Sequence, residues 1–326
     1  MTWWEAIILG VVEGITEYLP VSSTGHLLVV QNLLGIGTED AESWAAANAY
    51  AICIQAGAIV AVLGLYWQRV KQGVRGMLGP IGIGKGDEDG LRLFINLCIA
   101  FAPAAVIGVL FAEPIEEHLF TAWTIVIAWA VGGVAILAVA YWKRGKSGDE
   151  HEGKGIDAMT TRMAFAIGLI QCVAMMPGTS RSLVTIVGGV LVGLSIGAAV
   201  EFSFLLGVVT LLAATVYKAR EAGPEMLEAY GWMPMLIGSA AAWLSAVIAI
   251  KWMVNYLKKH GMRVFGVYRI AIAVLAAALI LTGHISATAP DKQPDPEIKA
   301  PAEPSAPQAS EPAPAPLAHR SASSAG

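Results

Sequence analysis

Six apolar runs, near 44–66, 93–112, 121–142, 196–217, 234–256 and 266–286, alternate along the chain with polar, charge-bearing segments. Each is long enough to cross a hydrocarbon core of roughly 30 Å as a helix, which takes about 20 residues. Two further stretches, 3–34 and 162–193, are also apolar but are interrupted in the middle by Pro, Gly, Ser and Thr. An interruption at membrane depth survives only where protein or a wet cavity satisfies the freed backbone groups. Each such stretch therefore predicts two short helices joined by a turn, dipping in and returning on the same side, followed by three spans. The expected fold is an all-α polytopic membrane protein with six transmembrane helices and two re-entrant helical hairpins.

Charge orients these elements. The loops at 67–92, 143–162 and 251–263 carry five, five and four Lys or Arg, whereas no basic residue precedes Trp44 and none lies in the Glu113–Phe120 turn. By the positive-inside rule the basic loops face the cytoplasm, and the N-terminus and C-terminal end face outward. The first hairpin then enters from outside. The second, after an odd number of spans, enters from the cytoplasm, which is an inverted-topology repeat, about 1–142 and 155–286. Pro20-Val21-Ser22-Ser23-Thr24 aligns with Pro177-Gly178-Thr179-Ser180-Arg181, and Gly57 with Gly207.

Composition agrees with lipid as the solvent. The 326 residues are 56% hydrophobic and 14% charged, against roughly 25% charged in soluble domains. A net charge of −4 gives no footprint for nucleic acid. The first Lys or Arg is Arg69, so a cleavable signal peptide is not expected. Cys53, Cys98 and Cys172 each sit in an apolar segment, as inert buried thiols do. The membrane-embedded domain is expected to end near 286; 287–326, rich in Pro, Ala and Ser, is expected to be a disordered tail.

Chemistry concentrates at the two interruptions. In EGITEYLPVSSTGH, Glu13 and Glu17 are four apart, so on a helix their side-chain bases lie about 5–6 Å from each other. Two acids in a membrane segment need a cavity, a proton or a cation, and a hard divalent ion with oxygen ligands suits them. Pro20 ends the first short helix, and Ser22, Ser23 and Thr24 open the next, where unpaired N–H groups favour an anion; His26 follows. In PGTSRSLVT, Arg181 needs an anionic partner, with Ser180, Ser182 and Thr185 around it and Gly178 permitting close backbone approach. A structural pair between Arg181 and Glu13 or Glu17 fits the same pattern. Brought together, the two tips supply what a lipid diphosphate needs for hydrolysis.

At these residues the chain resembles the bacterial undecaprenyl-diphosphate phosphatase family, also known for bacitracin resistance. EGITEYLPVSSTGH (13–26) and QCVAMMPGTSRS (171–182) carry the resemblance, with IQAG (54–57) and EFSFLLG (201–207) in support. The resemblance implies hydrolysis of undecaprenyl diphosphate to undecaprenyl phosphate and inorganic phosphate, recycling the lipid carrier for peptidoglycan and other envelope glycans. It also implies a bacterial plasma (inner) membrane, a site open to the outer side, a polyprenyl diphosphate substrate in the bilayer, and Mg²⁺ or Ca²⁺. By motif position, Glu13 and Glu17 resemble the metal-binding and catalytic acids, with Glu17, Ser23, His26 and Arg181 catalytic. Ser22, Thr24, Gly178, Ser180, Ser182 and Thr185 resemble substrate-binding groups. Two departures stand out: Tyr50-Ala51 lacks the family's acid before IQ-x-G, for which Glu201 or Asp157 are candidate substitutes, and Leu183 replaces a common Gly.

Three mechanisms stay open on sequence: attack by Ser23 with His26 or Glu17 taking its proton, attack by His26, or attack by water activated through Glu17 and the metal. Ser23 or water with His26 as base is the expected version. Transport or flipping of polyprenyl phosphate lipids is the rival reading, since many transporters share the inverted repeat. The sequence leaves a homodimer undecided.

Overall fold

The computed structural model describes residues 1–82, 86–147 and 152–285; the tail expected at 287–326 lies outside them. The described residues form helices α1 (Trp3–Thr16), α2 (Ser23–Leu34), α3 (Ala41–Leu65), α4 (Trp67–Leu78), α5 (Glu88–Leu119) and α6 (Ala122–Ser147). They continue with α7 (Thr161–Gln171), α8 (Arg181–Leu191), α9 (Ile196–Tyr230), α10 (Trp232–His260) and α11 (Arg263–Leu281). Six of them, α3, α5, α6, α9, α10 and α11, are long and apolar enough to cross a membrane, at the six positions expected from sequence. The protein is a multi-pass, all-α membrane protein.

Local chemistry sets the helix ends. Thr2 and Glu5 form a reciprocal capping box at the start of α1, and Asp40 and Ser43 form another at the start of α3. The Asp87 side chain caps α5, and Ser195 caps α9. Gly35 closes α2 in the left-handed conformation. The outer faces are apolar and open: Val109, Ile248 and Val267 are all more than half exposed. In water such a belt would drive aggregation, whereas lipid solvates it. Cys98 belongs to this exposed surface, unlike buried Cys53, and so departs from the expected buried thiol; Cys172 is intermediate.

Both interrupted stretches fold as two helices with a turn between, and their arms pack against each other, α1 on α2 and α7 on α8. The first arms also cross between halves: α1 lies along α10, and α7 lies along α5. Small residues make the first crossing close. A Cβ on Gly14 would run into Ser245 and the Ala242 carbonyl, and one on Gly10 would meet the Ala241 Cβ at 2.8 Å. Gly168 serves α7 likewise, where a Cβ would come within 2.6 Å of the Ala100 carbonyl oxygen. α3 packs beside α9, and α6 beside α11. The largest buried cluster joins Tyr18 and Leu19 of the first turn to Leu183, Phe202 and Phe204 of the second half. Both interruptions thus sit inside the core.

The two turns share a backbone device. Among the described residues, Ser22 (φ 73°) and Ser180 (φ 77°) are the non-glycine positions with positive φ, and each immediately precedes a helix, α2 or α8. This pairs Ser22 with Ser180, one residue out of the alignment expected from sequence, because the second turn spends one more residue after its proline. The expected Gly57 and Gly207 match also divides in role. Gly57 lets α3 approach α10, whereas a Cβ on Gly207 would fall on the Arg181 guanidinium.

Candidate active site

The turn after α1 carries Glu17 to the centre of the site. Its Oε2 accepts a short hydrogen bond from Ser23 Oγ, and its Oε1 accepts from Arg181 Nη2 at 3.1 Å. Arg181, first residue of α8, also donates through Nη1 to the Ser203 carbonyl at 3.0 Å, and its guanidinium lies 5.0 Å from the Tyr18 ring centre. One acid, one hydroxyl and one guanidinium from two distant motifs therefore form a single chain. The structural pair expected as an alternative is present, and it is one of the contacts that join the two tips.

Glu13 is buried, 2% exposed, and interacts electrostatically with Glu17 and Arg181. Two buried carboxyl groups beside one guanidinium need either a shared proton or a cation, since a low-dielectric site tolerates a second negative charge poorly. Among the described residues no group of three or more His, Cys, Asp or Glu is arranged to hold a metal ion. An oxygen donor pair completed by water and substrate oxygens is the kind of site that suits Mg²⁺ or Ca²⁺, so the acids fit the expected ion in charge and donor type.

A cavity of about 250 Å³ opens on this cluster, lined by Glu13, Glu17, Ser22, Ser23, Thr24, Gly178, Ser180 and Arg181. Trp44 and Phe120, 6.5 Å apart edge to face, also line it. Four of the five buried side-chain atoms that lack a partner among the described residues belong to the two interrupted stretches. They are Tyr18 Oη, Gln171 Oε1, Thr179 Oγ1 and Arg181 Nε; the fifth is Asn96 Oδ1. An orphaned guanidinium N–H is costly unless something anionic meets it.

Three sets of residues singled out in the sequence lie away from the cavity lining. Ser182 and Thr185 are wholly buried and do not line the cavity. Ser182 Oγ donates to the Leu19 carbonyl at 2.8 Å, tying the second tip to the first. Thr185 Oγ1 meets the Arg181 carbonyl at 2.8 Å and Ser203 Oγ at 2.6 Å, so both hydroxyls are committed to structure. His26 lies outside the cavity lining, between Trp129 and Tyr268, with ring centres 5.0 and 5.8 Å away. Its Nδ1 donates to the Ser22 carbonyl at 2.6 Å, which leaves Nε2 to accept from the Tyr268 hydroxyl at 2.8 Å. Its imidazole is thus turned toward Tyr268 and away from the cavity. Glu201 and Asp157 do not replace the missing acid either. They bind Arg69 at 2.7 and 2.9 Å, outside the cavity lining.

Sequence reasoning also missed Arg269. It is 0% exposed in α11 and donates to four carbonyls: Ala128 at 2.8 Å, Gly178 at 2.9 Å, Pro20 at 3.3 Å and Trp129 at 3.4 Å. Pro20 and Gly178 belong to the two tips, so one guanidinium fastens both turns to α6. A lone arginine inside an apolar span was the available signal.

A bundle of membrane-crossing length, with two buried helix breaks joining acids, a hydroxyl and a guanidinium, defines a membrane protein with an interior polar site. A family model described as bacitracin resistance protein BacA matches residues 6–275, and the chain belongs to that family. Similar proteins include the undecaprenyl-diphosphatase of Sorangium cellulosum, 42% identical over 276 residues, covering 84% of this chain and 85% of the relative. Undecaprenyl-diphosphatases of Pseudomonas syringae pv. tomato (40% identical; 86% and 95% covered) and Verminephrobacter eiseniae (38%; 86% and 96%) are comparably alike.

Proposed function

We propose that this protein hydrolyses undecaprenyl diphosphate to undecaprenyl phosphate and inorganic phosphate, regenerating a lipid carrier for peptidoglycan and other envelope glycans. The observation that carries the reading is one carboxylate, Glu17, holding both the Arg181 guanidinium and the Ser23 hydroxyl at the wall of the cavity. An anion-binding donor next to an activated nucleophile is what phosphoryl transfer requires, and a transporter has no need of the second part.

In this mechanism Ser23 Oγ attacks the terminal phosphorus while Glu17 Oε2 takes its proton. The bond from that phosphorus to the bridging oxygen breaks, and undecaprenyl phosphate leaves. Glu17 gives that proton to the departing undecaprenyl phosphate; water then attacks the phosphoserine and passes a proton to Glu17, which returns it to Ser23 Oγ as inorganic phosphate leaves. Arg181, which lines the cavity, stabilises charge on the transferred oxygens. Glu13 and Glu17 would hold Mg²⁺ or Ca²⁺, which when bound neutralises phosphate charge. The role of His26 is to hold the Ser22 carbonyl, and with it the turn that aims Ser23.

The basic loops support a bacterial plasma-membrane orientation with the cavity mouth outward and the two interruptions re-entrant from opposite faces. The enzymatic reading is tested by phosphate release from undecaprenyl diphosphate by purified protein. Activity should vanish with EDTA and return with Mg²⁺ or Ca²⁺. Rapid-quench mapping should find phosphate on Ser23; single turnovers with no protein-bound phosphate would replace serine attack by water.

A further inference from the structure

A second cavity, about 450 Å³, lies between α5, the end of α7 and α9. It exists because the facing helices carry small residues: Ala104, Ala105 and Gly108 on α5 and Ala213 and Ala214 on α9. It shares Ala174, Met175, Arg181 and Leu211 with the polar cavity, so the two abut at the guanidinium. At its other side Val109 and Tyr217 line it while being 81% and 57% exposed, which opens it sideways onto the apolar belt. Its shape is a slot that runs from the lipid-facing surface to the catalytic arginine.

We propose that this slot holds the isoprenoid chain of the substrate next to the diphosphate, and that α5 and α9 are the portal through which the chain leaves into the bilayer. The inference rests on the enzymatic reading above and extends it to the route of the chain. The substrate has one end that needs the polar cavity and another that needs hydrocarbon. The slot is apolar, abuts Arg181 and reaches the lipid-facing surface. Lipid already solvates the chain, so filling the slot contributes little transfer energy. Its contribution is alignment: gripping the first isoprene units fixes the phosphorus relative to Ser23.

Gly108 offers a clean test. A Cβ there meets only Met175 Cε, at 3.5 Å, so a larger side chain enters the slot without striking backbone. Replacing glycine inside a helix also favours the helix. Gly108→Leu should lower kcat/KM for undecaprenyl diphosphate at least tenfold while leaving inhibition by inorganic phosphate, which reports the polar site, within twofold. An undecaprenyl diphosphate analogue with a diazirine in its first isoprene units should label 101–109 and 210–217 of the unmodified full-length protein in nanodiscs. Labelling confined to other helices, or an unchanged kcat/KM in Gly108→Leu, overturns the slot. If the unmodified protein releases no phosphate from the substrate, the enzymatic reading fails, while the cross-link still decides where the chain lies.

Discussion

At the scale of single residues, the proposed mechanism divides the site into groups that touch the reacting phosphate and groups that hold them. Ser23 and Glu17 belong to the first kind, and removing either hydroxyl or carboxylate should reduce kcat by about 10³-fold or more in a phosphate-release assay. His26 belongs to the second, since both its nitrogens are engaged. His26→Gln should cost about tenfold or less, near the worth of one or two hydrogen bonds, and should leave the shape of the pH–kcat profile unchanged. A loss equal to that of Ser23→Ala would return histidine to the role of base. Arg181→Lys keeps the charge but loses the fork that binds Glu17 and Ser203 together, so it should behave much like Arg181→Ala. Sequence pattern singled out Glu13, Glu17, Ser23 and Arg181, which the structure gathers at one cavity. Side-chain direction was not legible in it, because Ser182 and Thr185 sit beside Arg181 in sequence while α8 turns them into the core.

At the scale of elements, six spans and two interrupted stretches could be read from apolar run length and from Pro and Ser at the breaks, since those features act locally. What holds the breaks together could not. Arg269 lies 88 residues beyond Arg181 in sequence and reaches both tips only through the packing of α11 on α6. Removing its donors leaves buried carbonyls unpaired, at about 1–3 kcal/mol each. Arg269→Met should therefore lower thermal stability and reduce activity beyond what the lost stability explains, as measured by unfolding in detergent alongside kcat at a permissive temperature. Arg269→Lys should recover part of the stability and little of the activity, since one ammonium cannot span four carbonyls. Gly14→Leu tests the crossing of α1 over α10, where overpacking should cost about 1–3 kcal/mol in the same unfolding assay.

For the whole molecule, the basic side is tied together by Arg69 of α4, which bridges Asp157 and Glu201 from the other half. Arg69 is 25% exposed, and a double-mutant cycle with Glu201→Gln should return a coupling of about 1 kcal/mol, as solvent screening limits such pairs. Orientation is testable by cysteine labelling: an impermeant reagent applied to intact cells should reach Thr2→Cys and miss Lys71→Cys until the membrane is opened.

The ion pair between Glu17 and Arg181 has a consequence for how such a protein can be divided. The carboxylate and the serine it activates come from the first half of the chain, and the guanidinium comes from the second. Neither half owns an active centre; the centre is a property of their union. Two separately translated pieces, cut between α6 and α7, would each be inert, and activity would return only when they found each other in the same bilayer.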